Sequence, residues 1–171
     1  LAELDAHPLD AADGRRLGAS TMFTAIILPL YNADTWRFLD ELFVEVADGD
    51  TSTAFFLADA YNDRDQTGNY LTNGTEAFLA INCLDYPTGT GDRTVTREQA
   101  AILAAEAPVF GPWMAYGDTL CPRWPVASDV VRDEIRAPGS PDILVIGTTG
   151  DPATPYAWAE ALAAQLERGH L

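Results

Sequence analysis

The chain has no lysine. Its ten basic residues are all arginine, set against 26 aspartates and glutamates, and the formal net charge is −16. A surface of that sign repels phosphate backbones and argues against a nucleic-acid partner. Histidine is almost as scarce: His7 and His170 sit near the two extremes of the sequence. The two cysteines, Cys83 and Cys121, have no histidine near them and fall short of a zinc ligand set. No metal and no organic cofactor is expected. Long apolar runs are lacking too. Residues 25–30 form the longest, contain Pro29, and stop far short of the roughly 18 residues of a membrane span. The opening Leu1-Ala2-Glu3-Leu4-Asp5 lacks the charged-then-apolar pattern of a signal peptide. Also absent is the Gly-x-Ser-x-Gly elbow that exposes a nucleophilic serine between strand and helix. Gly18-Ala19-Ser20-Thr21-Met22 fails at its last position, and Ser52, Ser128 and Ser140 have no glycine frame.

What is present is mostly helical. The 171 residues, 47% hydrophobic, suffice for a substantial core. Residues 1–14 read as an extended or loop entry segment. Apolar periodicity predicts helices over 20–30, 34–47, 52–62, 76–84 and 96–107. Asp34 is a candidate N-cap, with Trp36, Leu39, Phe43 and Val46 as the apolar face behind it. Phe55, Phe56, Leu57 and Ala60 form the inner side of the next helix. Thr96 and Gln99 make a capping box. Residues 63–74 are polar. Asp63, Asp65, Thr67 and Gly68 match the start of a calcium loop, but its twelfth position is Gly74 rather than glutamate, which favours a polar turn. The acids Asp59, Asp63, Glu76 and Asp85 stand near the helical region, where a carboxylate suits a substrate ammonium and solvated surface acids are the plainer reading. Residues 85–94 read as a loop, and 109–125 as an irregular aromatic stretch.

The most informative segment runs from Pro141 to Pro155. Ile143 to Gly147 reads as a buried strand, followed by a tight turn carrying Asp151 and by a helix over 155–168. Thr154 reads as the N-cap, Pro155 as the first helical residue, Gly169 as the residue past the end, and His170 as a surface helix-end histidine. Trp158, Leu162 and Leu166 share one face. An acid just past the carboxyl end of a strand is placed for catalysis in an open α/β sheet, although Asp-Pro after glycine is also an ordinary turn. Cys83 and Cys121 are either a disulfide or two buried thiols. One strand makes a poor sheet, so the pattern suggests a piece of something larger.

Four stretches together resemble the C-terminal part of the secreted tripeptidyl aminopeptidase family of α/β-hydrolases. They are Leu57-Ala58-Asp59-Ala60-Tyr61 with Arg64 and Gly68-Asn69-Tyr70; Ala80-Ile81-Asn82-Cys83-Leu84-Asp85; Cys121-Pro122-Arg123-Trp124-Pro125; and Ile143 through Tyr156. The resemblance covers roughly residues 15–168. It implies an α/β-hydrolase fragment: a helical cap over 15–138, then a core strand–loop–helix unit over 139–171 bearing the triad acid. Asp151 matches that acid, Thr154 a supporting threonine in the same loop, and Cys83 and Cys121 a disulfide. Asp85 falls where the cap returns to the core and is a candidate substrate contact.

The expectation is therefore part of a secreted or cell-envelope serine exopeptidase of a bacterium, acting on peptides from a free N-terminus. The serine and histidine would lie in the rest of the hydrolase core, so this piece alone is expected to be inactive and to cover its open strand edges by self-association. The alternatives are an acidic helical module that binds a peptide or partner chain, and an esterase on the same fold.

Overall fold

The computed structural model describes residues 1–85, 91–126, 128–131, 133–151 and 153–171. Residues 86–90, half of the loop expected at 85–94, lie outside them. Two compact units are present, Leu1–Asp129 and Val130–Leu171.

The first unit opens on a short helix α1 (Ala2–Ala6) and a hairpin of β1 (Leu9–Asp10) and β2 (Arg16–Leu17), paired antiparallel with Leu9 opposite Leu17. This corrects the extended or loop reading of residues 1–14. Such short elements leave too few residues for a period to be seen, yet Leu4 and Leu17 are both in the core. Helix α2 (Ala19–Leu30) follows, with Pro29 in its last turn. Next comes a 3₁₀ turn, Ala33–Thr35, in which the Asn32 side chain accepts from the Asp34 backbone N–H at 3.0 Å. Asn32 is thus the cap expected of Asp34, and α3 begins only at Arg37 (Arg37–Ala47).

The inner row of α3 is also displaced. Leu42 is fully buried, with Phe38, Leu39 and Val46 packed beside the core, whereas Trp36 and Phe43 are 55% and 50% exposed. Helix α4 (Ser52–Tyr61) lies against α2 and buries Ala54, Phe55, Leu57 and Ala58. Phe56 and Ala60 face outward, because neighbours about 100° apart around a helix cannot share one narrow face.

Helix α5 (Gly74–Asp85) starts two residues before the expected point. Helix α6 (Arg93–Glu106) starts three before it, capped by the Asp92 carboxylate accepting from the Thr94 N–H at 2.7 Å. Thr96 is already inside the helix and donates its hydroxyl to the Asp92 carbonyl. After α7 (Gly111–Met114), two 3₁₀ turns, Gly117–Thr119 and Cys121–Arg123, carry the aromatic stretch. Cys83, buried on α5, is bonded to Cys121 at a Cα–Cα distance of 4.9 Å.

The second unit is built on two parallel strands. β3 (Ile143–Leu144) pairs with β4 (Gly169–His170), and helix α8 (Tyr156–Gln165) connects them. The Ile143 N–H donates to the Arg168 carbonyl at 2.9 Å and the Val145 N–H to that of His170 at 2.7 Å. The strand expected over 143–147 is thus shorter. The helix expected over 155–168 is shorter too: Pro155 is its cap and Leu166 already has extended backbone. Gly169 and His170 lie on β4 rather than at a helix end. Leu166 is buried and Trp158 is 63% exposed, so the expected stripe is only partly inward; Tyr156, Ala159, Leu162 and Ala163 are half-buried. Gly147 lets α8 come close. A Cβ there would sit 2.7 Å from the Ala159 Cβ and 2.9 Å from the Tyr156 ring.

Candidate active site

Asp151 sits in the loop between β3 and α8. Gly150, at φ +77°, turns the chain through the left-handed region that glycine tolerates, and Asp151 follows half-buried. Its Oδ1 accepts from the backbone N–H groups of Ala153 and Thr154, both at 2.9 Å, and its Oδ2 accepts from the Thr154 hydroxyl at 2.7 Å. The Thr154 hydroxyl first, then the two amides, hold the carboxyl below the usual range for aspartate. The group is therefore a fixed anion near neutral pH.

A carboxylate accepts about four hydrogen bonds. With these partners among the described residues, Asp151 keeps a position on Oδ2 for a further donor. An acid that is charged, oriented and still able to accept one N–H can fix an imidazole tautomer and stabilise the imidazolium. Thr154 is not the N-cap of α8; it lies one residue before the cap, and its hydroxyl is given to Asp151. Asp151 and Thr154 are thus brought into direct contact. Asp85 is in the first unit, exposed at the last residue of α5.

Other polar groups are committed elsewhere. Asp59 accepts from Arg15 at 2.7 Å and from Arg64 at 3.1 Å, and the Arg15 guanidinium stacks 3.9 Å over the Phe55 ring. This cross-link ties the hairpin to α4 and takes up one of the four carboxylates that the sequence offers for a substrate ammonium. The calcium-like run is a turn stitched on itself: Asp65 Oδ1 accepts from Thr67 and Asn69. Among the described residues no group of three acids, histidines or cysteines is arranged to hold a metal ion, and no helix is long and apolar enough to cross a membrane.

One cluster escapes sequence reasoning. Asp142 Oδ1 meets Arg168 at 2.6 Å and His170 Nε2 at 3.6 Å. Arg168 is the main reason the Asp142 carboxyl is lowered. The signal was present as register: Asp142 directly precedes β3, and Arg168 directly precedes β4.

The sequence pattern of TAP-like proteins, an α/β-hydrolase family, matches residues 107–171, which contain Cys121, β3, the Asp151 loop, α8 and β4. Residues 107–171 are a TAP-like α/β-hydrolase region. Among curated relatives, the chain is 35% identical over 172 residues to the serine protease Hip1 of Mycobacterium tuberculosis, covering 96% of this chain and 32% of that protein. It is 32% identical over 169 residues to a carboxylesterase B of the same species, covering 93% and 31%. It is 30% identical over 136 residues to a tripeptidyl aminopeptidase of Streptomyces lividans, covering 78% and 25%. The chain thus spans at most about a third of the length of these relatives, all of them named as hydrolases or peptidases.

Proposed function

We propose that this chain is the acid-bearing part of a secreted serine exopeptidase, with the helical segment over 15–138 acting as a cap and Asp151 as the triad acid. In the assembled protein, a serine outside these residues attacks the scissile carbonyl. A histidine, also outside them, takes the serine proton and passes it to the leaving amine. Asp151 holds that histidine's tautomer and stabilises its charged form, while backbone amides stabilise the oxyanion. Thr154 keeps the Asp151 carboxylate turned and charged, and Asp85 contributes on the substrate side. The single observation that carries the reading is the Asp151 carboxylate, fixed by Thr154 beyond β3 with a position left for one more donor. The parallel pairing of β3 with β4 supports it, since chain leaving β4 emerges at the same end of the sheet as the Asp151 loop. The Cys83–Cys121 bond supports an oxidising, extracytoplasmic location.

The partner of this piece is then the remaining hydrolase core, without which it does not hydrolyse peptides. Leu144 and Ile146, 70% and 82% exposed beside β3, are the apolar surface such a core would cover, or that a second copy would cover in its absence. The second reading, an esterase on the same fold, is favoured by the carboxylesterase relative. The test is made in the full polypeptide, comparing free-amine tripeptidyl anilides, their N-blocked forms and simple aryl esters. An exopeptidase cleaves the first and rejects the second; an esterase prefers the third. Asp151→Asn lowers kcat by about 10⁴-fold in either case. A variant retaining more than a tenth of the activity would remove Asp151 from the triad.

A further inference from the structure

Six of the nine described arginines are engaged. Arg15 and Arg64 hold Asp59, Arg16 pairs with Asp10, Arg136 with Glu134 and Arg168 with Asp142, and Arg37 lies over the Phe38 ring. Arg93, Arg97 and Arg123 have no such partner among the described residues, and all three line one cavity of about 930 Å³ in the first unit. In a chain with 26 acids to 10 arginines, partners are abundant, so three guanidinium groups on one concavity with no acid partner among the described residues stand out. Among the described residues lining the cavity there is no aspartate or glutamate. The Asp92 carboxylate nearby is turned to the amide of Thr94.

The rest of the described wall is mainly apolar, with Thr96, Gln99 and Thr119 as its neutral polar members. Ile102, Met114 and Tyr116 line it and are 62%, 59% and 54% exposed. The frame is fixed: Arg93 and Arg97 are one turn apart on α6, and Arg123 belongs to the turn that the Cys83–Cys121 bond anchors to α5. The volume is that of a small-molecule site, in which apolar walls and a few placed polar groups are the usual composition.

We propose that this cavity binds an amphiphilic organic anion, a carboxylate head carried on an apolar body. Planar guanidinium groups pair with carboxylates through paired N–H donors, and the apolar wall takes the body. By its described lining residues the site is opposite in sign to the protein as a whole. It makes no use of Asp151, so its test reads binding rather than hydrolysis.

The probe is 4-phenylbutyrate, added to the intact protein and followed by the side-chain Nε–H resonances of Arg93, Arg97 and Arg123. Saturable shifts are expected, with affinity falling as salt is raised. The alcohol 4-phenylbutanol and the bare head acetate are each expected to bind at least about ten-fold more weakly, the loss of one charge-assisted contact or of the apolar body. The double variant Arg97→Gln/Arg123→Gln is expected to lose at least about ten-fold in affinity with an unchanged melting temperature. Equal binding of acid and alcohol overturns the proposal, as does affinity that is indifferent to salt in the unsubstituted protein. Failure of the acid to saturate these resonances near 1 mM, about the weakest affinity of a specific site, also overturns it.

Discussion

The Thr154 hydroxyl donates to Asp151 Oδ2 at 2.7 Å while the Thr154 amide donates to Oδ1 at 2.9 Å, so one residue grips both oxygens of the carboxylate. The amide bond survives any side-chain change; the hydroxyl bond does not. In the full protein, Thr154→Val is therefore expected to reduce kcat less than the about 10⁴-fold of Asp151→Asn, with KM unchanged, and Thr154→Ser should restore it. Equal rates for Thr154→Val and the unsubstituted protein would show that the amides alone position the acid.

The same bonds have a consequence in acid. Asp13, Asp50, Asp65, Asp142 and Asp151 are all lowered by nearby donors, Asp151 chiefly by the Thr154 hydroxyl. A carboxyl whose folded pKa lies below its unfolded value, about 3.9, adds stability that is present above that value and is lost as pH falls through the folded pKa. Carboxyl ¹³C titration should therefore place Asp151 below ordinary aspartates. Thr154→Val should move it back up. Thermal stability should be flat from neutral pH down to about pH 5 and fall below about pH 4.

The bond between Cys83 and Cys121 closes a separation of 38 residues, which on the chain-entropy model stabilises the fold by about 4 kcal/mol. For a chain of this length that corresponds to roughly 10 °C in melting temperature. Melting with and without reductant, and of a Cys83→Ala/Cys121→Ala variant, checks it; coincident curves would mean the bridge only joins segments already fixed by packing.

Leu42 and Phe43 are neighbours on α3 with opposite environments, one fully buried and the other half exposed. Leu42→Ala is expected to cost about 3 kcal/mol, and Phe43→Ala less than about 1 kcal/mol. Chemical denaturation separates the two, and the reverse order would place the core on the other side of α3.

Helices α2, α4 and most of α6 are legible because each runs long enough for apolar residues to recur on one face. Their inner faces are less so. On α3 a run of apolar residues fits two neighbouring stripes, and Leu42 rather than Phe43 is chosen by the position of α2 and α4, which no local pattern encodes. The ends of α6 and α8 were misplaced because several residues near each were able to cap: Asp92 lies four residues before Thr96, and Thr154 had two uses for its hydroxyl. β4 was invisible because two residues cannot display a strand period. At the candidate site, the place of Asp151 in the turn after the strand is legible from the layout, whereas Thr154, which the same layout makes an N-cap, gives its hydroxyl to Asp151 instead. The Asp59 network was not, since its arginines come from distant parts of the sequence.

Gly147 gives the loop a sensitivity at a distance. Its missing side chain is what allows Tyr156 and Ala159 to rest against the chain just beyond β3. Adding one methyl group would wedge the first turn of α8 outward, and Thr154 hangs from that turn. The geometry of the acid is thus set partly by an atom that is not there, four residues earlier in the chain.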